Sequence, residues 1–564
     1  MSGDGSMYPA NKRIARGFWY AIAGTTGLMA VVRAVTAAQA RQRLQQTGKC
    51  PSRPRGWAAQ MLATATAMVR EIAYPQPVCF TGKISRYFTP LPLGRWIVLL
   101  IYWVMILAML WSNVIMKPSD PMAGYKWEKV GYRAAWVSIT QVPLIYLLAF
   151  KLNPFSLITG ISYERLNWLH RWTARTIFLT VIVHWAFFLH EWWLADFIAE
   201  ELKMMPVVKY GIGAFGVLCW MVLSSFGLFR SKLYEVWVLQ HIAAAAVFLW
   251  LLWKHVPSKA RYNIWMCVGF AAFDWIGRII WNTFRNIRIR TLRLGYETQL
   301  EPLPGDVVRV TIAEPGFRWR AGQHIYLSIP RLGPLQAHPF TIAGSDDLVL
   351  IIQARSGFSR RLLNAAQREK RQSYRALISG PWGNPPNFRH FDTVVLLAAS
   401  TGATFTVPIL ESLFSSPTCV RRVEFHWIVR DTAHVDWFYK RLQALSDRPE
   451  VRIVIHVTGS VVETPSTSSS TPSNASNEKA PLSPPPRRVS DALFVSRGSR
   501  PELDSILRGP IERALGETAV VVCGNASLTA STRTYISQLS DERAVHKGSG
   551  AQGIKVYCEA FSSS

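Results

Sequence analysis

Four histidines with metal-ligand chemistry lie in two of the most apolar stretches of the chain. His170 and His184 share one stretch, His241 and His255 share the other, and the members of each pair are 14 residues apart. Along an α-helix such a step returns to within about 40° of its starting direction and rises about 21 Å, so each pair shares one face near opposite sides of a bilayer. Imidazole is an axial ligand of haem iron, and ionisable side chains at membrane depth are usually functional.

We therefore predict two stacked haems between two neighbouring helices. His170 would face His241 in one haem site, and His184 would face His255 in the other. The alternative is that the four side chains bond to helix carbonyls or cap helix ends.

The helices that carry these histidines are two of seven apolar stretches long enough to span a membrane. The seven cover residues 18–37, 95–116, 134–150, 167–189, 210–229, 236–253 and 262–281. A cleaved signal peptide is the alternative interpretation of the first. The chain has 564 residues, of which 49% are hydrophobic and 23 are Trp. This composition favours a multi-pass membrane protein that also carries soluble domains.

The net charge of +28 is concentrated around the spans and does not suggest a nucleic-acid partner. Basic residues fill the loop after the first span and the segment after the last one: Arg41, Arg43, Lys49, Arg53, Arg55, Arg70, Lys83 and Arg86, then Arg285, Arg288, Arg290 and Arg293. By the positive-inside rule both segments face the cytoplasm, so the chain after about residue 285 is expected in the cytosol. We expect membrane lipid around the spans and no nucleic acid. The seven cysteines show neither metal-binding nor disulfide spacing.

From residue 287 the pattern changes to short strands separated by Pro and Gly, which predicts a small β-barrel. After residue 391 strands alternate with helices, which indicates an α/β nucleotide-binding domain. We expect four regions, an N-terminal span with a basic loop, a haem-binding helical region, a β-barrel domain and an α/β domain, at 1–94, 95–284, 285–390 and 391–564. Residues 464–490, rich in Ser, Thr and Pro, are expected to form a disordered insertion.

Short motifs follow the paired histidines in a fixed order. They are His338-Pro339-Phe340-Thr341, Gly380-Pro381-Trp382-Gly383, Ser400-Thr401-Gly402-Ala403-Thr404 and Val522-Cys523-Gly524. In this order the chain resembles the ferric reductase and NADPH oxidase superfamily, and residues 153–172 and 546–561 resemble its fungal metalloreductase branch. The resemblance implies a six-helix haem-binding bundle with one N-terminal span. It also implies a ferredoxin-reductase-like module, made of a β-barrel FAD domain and an α/β NADPH domain.

The resemblance implies that residues 338–341 form the flavin-binding strand. Phe340 would pack on the isoalloxazine ring and Thr341 would hydrogen-bond to it. The alternative is an ordinary strand that begins near a proline. Two further groups belong to the implied flavin site: Arg355, Gly357 and Ser359, and then Gly380 and Gly383. The first group precedes a helical stretch, whose free N–H groups suit a pyrophosphate, and Arg355 adds positive charge.

The turn from Ser400 to Thr404 follows a buried strand, so its backbone N–H groups are expected to hold the phosphates of NADPH, as in the family. Cys523 and Gly524 are expected to complete this site. Ala399 stands where the family commonly has glycine, and its methyl group is expected to crowd the nucleotide. Arg500 would favour the 2′-phosphate of NADPH, and the alternative is a solvated arginine at a loop end.

The implied function is transmembrane electron transfer, from cytosolic NADPH through FAD and two b-type haems to an external ferric or cupric chelate. Phe561 matches the family's terminal aromatic, which covers the flavin and moves aside for nicotinamide. Two alternatives stay open, an NADPH oxidase that makes superoxide and a haem-binding transporter with a regulatory nucleotide module. We expect a multi-pass plasma-membrane protein, with an iron-uptake permease as a candidate partner.

Overall fold

The computed structural model describes residues 4–45, 52–54, 56–78, 80, 90–116, 119, 123–227, 234–288, 293–334, 336–368, 373–459, 487–490, 493–547 and 551–560. The chain divides into two compact units. The first, the helical unit, contains residues 1–39 and 82–285. The second unit contains residues 40–81 and 286–563.

The described α-helices are α1 (Asp4–Gln45), α2 (Trp57–Ala73), α3 (Leu93–Trp111), α4 (Lys126–Ala149), α5 (Pro154–Thr159), α6 (Tyr163–Leu194), α7 (Ile198–Met204), α8 (Pro206–Ser224), α9 (Tyr234–His255), α10 (Tyr262–Asn286), α11 (Gly357–Arg368), α12 (Ala403–Ser412), α13 (Tyr439–Ser446), α14 (Leu503–Glu512) and α15 (Ala526–Glu542).

The described strands are β1 (Ile287–Arg288), β2 (Arg293–Leu294), β3 (Tyr296–Leu303), β4 (Val307–Ile312), β5 (His324–Ser328), β6 (His338–Thr341), β7 (Leu348–Gln353), β8 (Ser373–Trp382), β9 (Thr393–Ala399), β10 (Arg422–Val429), β11 (Val451–Val457), β12 (Arg487–Ser490), β13 (Leu493–Arg497), β14 (Thr518–Gly524) and β15 (Ile554–Ala560).

Six of the described helices are long and apolar enough to cross a membrane: α1 from Pro9 onward, α3, α6, α8, α9 and α10. They coincide with six of the seven predicted spans. Arg33, which interrupts the apolar pattern of α1, donates to the carbonyl oxygens of Leu157 and Ile158, each at 2.9 Å. These carbonyls lie in α5, so the arginine satisfies acceptors that the helix end leaves open.

The remaining predicted span, 134–150, lies in α4, which is a buried helix of more polar composition. Its buried residues run almost without interruption from Val130 to Leu148. Arg133 is only 5% exposed. It donates to Asn11 Oδ1 at 2.6 Å and to the Ser112 carbonyl oxygen at 2.7 Å. A helix shielded by its neighbours can carry such polar groups, because lipid does not reach them.

A six-stranded antiparallel sheet forms the β-barrel domain, in the order β6-β5-β8-β3-β4-β7. Its core consists of alternating inward residues, such as Ile325 and Leu327 of β5, both fully buried. The apolar face of α11 packs on the same core through Phe358, Leu362 and Leu363. The strands bury every second residue, and α11 buries one face. The sheet and the helix therefore share one hydrophobic core.

The second sheet of this unit has seven strands, in the order β12-β13-β11-β10-β9-β14-β15. All neighbours are parallel except β12 and β13, which are antiparallel. The central strands β9 and β14 are continuous apolar runs, as expected for strands covered on both faces. Arg487–Ser490 form an edge strand, so the predicted disordered insertion is wrong at its last four residues. The rest of that insertion lies outside the described residues.

Candidate haem, flavin and nucleotide sites

Two of the four predicted haem ligands are anchored on α6 by the neighbouring helix α4. His170 Nδ1 lies 2.9 Å from the Ile145 carbonyl oxygen. His184 Nδ1 lies 2.9 Å from the Gly131 carbonyl oxygen. An imidazole whose Nδ1–H donates to a carbonyl has a fixed ring orientation and offers Nε2 to a metal.

The partner of His184 on α9 is held in the same way. His255 Nδ1 lies 2.8 Å from the Val207 carbonyl oxygen. The ring centres of His184 and His255 are 6.2 Å apart, with 60° between the ring planes. Imidazole nitrogens bind metals at about 2 Å, so one metal between two imidazoles places the ring centres about 6 Å apart. This pair therefore fits axial ligation of one haem iron.

Gly211 on α8 leaves room for the ring of His255. A Cβ atom at this position would lie 2.6 Å from His255 Cε1 and 2.8 Å from Nδ1. Such distances are far below van der Waals contact. The observed ring position therefore requires that Gly211 has no side chain, and no sequence motif points to this glycine.

The second pair, His170 and His241, is anchored less symmetrically. The ring of His241 stacks on Trp237, with 5.2 Å between centres and 27° between planes. Its Nδ1 is buried without a hydrogen-bond partner. A buried imidazole nitrogen without a hydrogen-bond partner is unusual. A histidine buried in this way fits the predicted role as a haem ligand.

Strand β5 brings the predicted flavin-binding residues together at one end of the barrel. Thr341 of β6 and Trp382 of β8 are the two strand neighbours of His324. The segments 338–341 and 380–383 therefore flank one strand position. Phe340 is half-buried and packs against the barrel core, while Pro339 is exposed.

The glycines of the second segment adopt conformations that other residues rarely reach. Gly380 has φ +139° and Gly383 has φ +90°. The carbonyl oxygen of Gly383 accepts a hydrogen bond from Gln323 Nε2 at 2.9 Å. A side chain at either position would strain the backbone, so this turn depends on glycine.

The predicted pyrophosphate-binding turn adjoins the flavin strand. The ring of His338 stacks on Phe358, with 5.1 Å between centres. Ser359 Oγ accepts from the Arg355 backbone N–H at 3.1 Å and donates to the Ser356 carbonyl oxygen at 3.0 Å. Gly357, at the start of α11, has φ +56° and no atom within 4 Å of a Cβ position. The helix start is exposed, and the free N–H groups of a helix start suit a phosphate.

The predicted nucleotide site lies where the sheet order reverses. From the central strand β9 the chain continues to β10, β11 and β13 on one side, and then to β14 and β15 on the other. Ligands of such sheets bind at the carboxyl ends of the strands at this switch point. The turn Ser400–Gly402 follows β9, and Cys523 and Gly524 end the adjacent β14. The predicted residues are therefore brought together.

Local hydrogen bonds fix the turn after β9. Trp427 Nε1 donates to the Ser400 carbonyl oxygen at 2.9 Å. Thr404 Oγ1 donates to the Thr401 carbonyl oxygen at 2.8 Å. Ser400 has φ +50°, a conformation that favours glycine. The role of Trp427 was missed in the sequence, because a single tryptophan within a buried strand carries no functional signal.

Ala399 is accommodated by the neighbouring strand end. A Cβ atom at Gly524 would lie 3.3 Å from Ala399 Cβ and 2.8 Å from Leu528 Cδ2. The methyl group of Ala399 therefore packs beside a glycine. Cys523 is buried, and burial raises the pKa of its thiol well above the usual range. A neutral thiol contributes packing at this edge rather than charge.

Of the two remaining predicted residues, only Arg500 is described by the structure. Arg500 is exposed and follows β13, whose last residue Arg497 pairs with Val457. It belongs to the loops at the carboxyl ends of the strands. Phe561 lies outside the described residues. The residue before it, Ala560, pairs with Gly524, so β15 ends beside the predicted nucleotide site.

Three family models match successive parts of the chain. "Ferric reductase like transmembrane component" matches residues 134–252, "FAD-binding domain" matches 295–386, and "Ferric reductase NAD binding domain" matches 391–537. These matches confirm the predicted fold class. Because two of the matched domains bind FAD and a nicotinamide nucleotide, they also confirm FAD and NADPH as cofactors.

Curated fungal proteins are similar over most of this chain. "Ferric reductase transmembrane component 4" of Saccharomyces cerevisiae is 29% identical over 70% of this chain and 58% of its own length. "Probable cell surface ferric reductase kap2" of Aspergillus oryzae is 27% identical over 68% of this chain and 54% of its own length. "Ferric/cupric reductase transmembrane component 2" of Schizosaccharomyces pombe is 27% identical over 74% of this chain and 80% of its own length. The chain thus spans little more than half the length of the first two relatives.

Among solved structures, a ferredoxin reductase from carbazole 1,9a-dioxygenase has a TM-score of 0.31 and 14% identity, over 47% of this chain and 69% of its own.

The fold and the sites define an integral membrane protein that joins a histidine-bearing helical bundle to FAD- and NAD-binding domains. The chain belongs to the ferric reductase superfamily, in its fungal branch.

Proposed function

We propose that this chain moves electrons from cytosolic NADPH, through FAD and two b-type haems, to a ferric or cupric chelate on the other side of the membrane. The reaction balances as one NADPH and two ferric ions giving NADP⁺, one proton and two ferrous ions. The names of its fungal relatives, ferric and ferric/cupric reductases, support the choice of acceptor.

The single observation that carries the proposal is the geometry of the histidines. His184 and His255 lie 6.2 Å apart between ring centres, and both rings are held by backbone carbonyls. His170 and His241 form a second pair 14 residues away along the same two helices. Bound FAD accepts a hydride as an electron pair, while haem iron carries single electrons. Two ligand pairs at different depths match one-electron transfer across a membrane.

The residues of the second unit bind and orient the nucleotides. We assign the flavin to residues 338–341, 355–359 and 380–383, because they adjoin at one barrel end. The turn after β9 would donate backbone N–H groups to the NADPH phosphates, and Arg500 would contact the 2′-phosphate. Phe561 would cover the flavin and move aside for nicotinamide, since β15 ends next to Gly524.

The orientation follows from the basic residues around the first and last spans. We place the flavin and nucleotide domains in the cytosol and the acidic loop that includes Glu200 and Glu201 outside. A relative described as a cell surface reductase supports the plasma membrane. A permease that takes up the reduced metal is the partner that this reaction would supply.

The test is a visible spectrum of the full chain in lipid nanodiscs without oxygen. Adding NADPH should bleach the flavin and then produce sharp reduced-haem bands. Ferric citrate should reoxidise these bands faster than oxygen does. Faster reoxidation by oxygen, with superoxide as product, would favour the oxidase instead. Flavin bleaching without any haem reduction would contradict electron transfer and favour a regulatory nucleotide module.

A further inference from the structure

Helix α2 (Trp57–Ala73) of the second unit carries its apolar side chains on the outside. Every exposed residue of this helix is apolar: Trp57, Ala58, Met61, Leu62, Ala65, Met68, Val69 and Ile72. Their spacing of one, three or four positions makes one continuous stripe along the whole helix. The exposed fraction reaches 80% for Trp57 and 65% for Met61. A stripe of this kind on an extramembrane helix indicates a contact surface.

The other face of α2 is docked on the α/β domain by polar contacts. The backbone carbonyl oxygen of Glu71 accepts from Ser537 Oγ at 2.6 Å. The Glu71 carboxylate accepts from Ser540 Oγ at 2.7 Å and lies 2.9 Å from His546 Nδ1. Arg70 donates to the Ile554 carbonyl oxygen at 3.4 Å. The helix is therefore held with its polar side inward.

These contacts also cover the free edge of β15. The Val556 backbone N–H donates to Tyr74 Oη at 3.3 Å, and the Arg70 guanidinium contacts Ile554 on the same strand. β15 is the outer strand of its sheet. The helix thus protects an edge strand, and it is fixed with a defined rotation about its axis.

The chain around α2 favours a lipid surface as the partner of the stripe. Gln45, the last residue of one membrane helix, precedes α2 by 12 positions, and Leu93 begins the next one 20 positions after Ala73. Residues 40–92 contain eight Lys and Arg but only one acidic residue, Glu71. Glu71 is paired with His546 within the domain, and Arg43, Arg53 and Arg70 also contact the α/β domain. The other five basic residues of this segment are the candidates for headgroup contact. Anionic lipid headgroups complement such a sequence.

We propose that α2 is a membrane-surface helix that holds the α/β domain against an anionic lipid leaflet. Its apolar stripe lies at the boundary of headgroups and acyl chains, and the net positive charge of residues 40–92 favours an anionic leaflet. The proposal does not depend on the electron acceptor or on haem, so it can fail or hold independently of the proposed function.

Photo-cross-linking in the full chain tests this. p-Benzoylphenylalanine replaces Met61 or Met68 on the stripe, and Gln60 on the opposite side of α2 serves as the matched control. Each variant is placed in nanodiscs of phosphatidylcholine with 30% phosphatidylserine. An unchanged absorption spectrum of the bound cofactors verifies folding. After illumination, mass spectrometry identifies the partner of each probe.

The stripe positions should give lipid adducts, at least tenfold above the yield at the Gln60 position, which should cross-link to peptides of the α/β domain. In nanodiscs of phosphatidylcholine alone the lipid yield at Met68 should fall at least twofold. Cross-links from both stripe positions to a second copy of the chain would overturn the proposal. So would the absence of lipid adducts, or an equal yield with and without phosphatidylserine.

Discussion

Replacing Gly211 with alanine tests the position of His255 without changing the imidazole. The new Cβ atom would lie 2.6 Å from His255 Cε1. Carbon atoms in contact stay about 3.5 to 4.0 Å apart, so the ring must move by about 1 Å. That movement also weakens the 2.8 Å contact between His255 Nδ1 and the Val207 carbonyl oxygen, because the carbonyl is fixed in its helix while the ring is displaced.

The expected effect can be set from these two losses. Overpacking costs about 1 to 3 kcal/mol, and a lost hydrogen bond costs about 1 kcal/mol. Together they amount to about 2 to 4 kcal/mol, which corresponds to roughly 30- to 800-fold weaker haem binding at this site. Glycine to alanine favours an α-helix by about 1 kcal/mol, so α8 itself should not be weakened.

The assay is the haem content per polypeptide, measured as the pyridine haemochromogen, together with the low-spin absorption bands. Gly211→Ala should bind about one haem in place of the two that we propose. Gly216→Ala is the matched control on the same helix, because no atom lies within 4 Å of its Cβ position. Two low-spin haems in Gly211→Ala would refute the reasoning. An equal loss in Gly216→Ala would refute it as well.

The other predictions concern single residues of both units. His184→Ala should remove one haem centre and leave the other, and unchanged haem content would reject this ligand. Arg500→Ala should weaken NADPH binding by about 1 to 3 kcal/mol in a fluorescence titration and leave NADH unchanged, whereas an equal loss for both would contradict a 2′-phosphate contact. Phe561→Ser should tighten nicotinamide binding and slow NADP⁺ release in stopped-flow kinetics; identical affinity and rate would remove this residue from the flavin face. Burial, and then His426 at 3.1 Å, lowers the pKa of His456 from 6.5 to about 4. As the pH falls from 6.5 toward 4, His456 is protonated in the unfolded chain but not yet in the folded one. The free energy of unfolding should therefore drop by up to about 1.4 kcal/mol per pH unit. Melting temperatures of His456→Gln should show a shallower decline over that range, and an unchanged slope would contradict this assignment.

The four histidines could be proposed as ligands from sequence because their spacing is periodic. His170 and His184 have the same spacing as His241 and His255, and helix geometry alone is enough to place each pair on one helix face. The turn after β9 could be proposed from a local signature, a glycine turn after a buried apolar run, whereas Cys523 and Gly524 at the end of β14 were proposed from the family resemblance alone. The residues that position these side chains could not be predicted, because they lie far away in the sequence. Gly211 meets a ring 44 positions away, and Trp427 binds a carbonyl 27 positions away.

Two other elements show where local patterns mislead. Residues 57–73 looked like part of a basic loop, yet they form α2, whose short apolar stripe is hidden among alanines and threonines. Arg487–Ser490 looked disordered by composition, yet they pair with β13. An edge strand requires only backbone hydrogen bonds to one neighbour, so side-chain composition is a weak guide there.

The 14-residue spacing of the histidines is matched on the helix that supports them. His170 is anchored by the carbonyl of Ile145 and His184 by that of Gly131, and these two acceptors are also 14 positions apart. The higher-numbered histidine uses the lower-numbered acceptor, so α4 and α6 run antiparallel with equal rise between the two anchors. A Cβ atom at Gly131 would lie 2.5 Å from the ring of Phe188 on α6, one turn beyond His184. Close approach of the two helices therefore requires glycine at the point where the second anchor is made. The 14-residue spacing on α6 therefore matches the register of the two α4 carbonyls that orient the histidines, and it is also the spacing that two stacked haem sites would require.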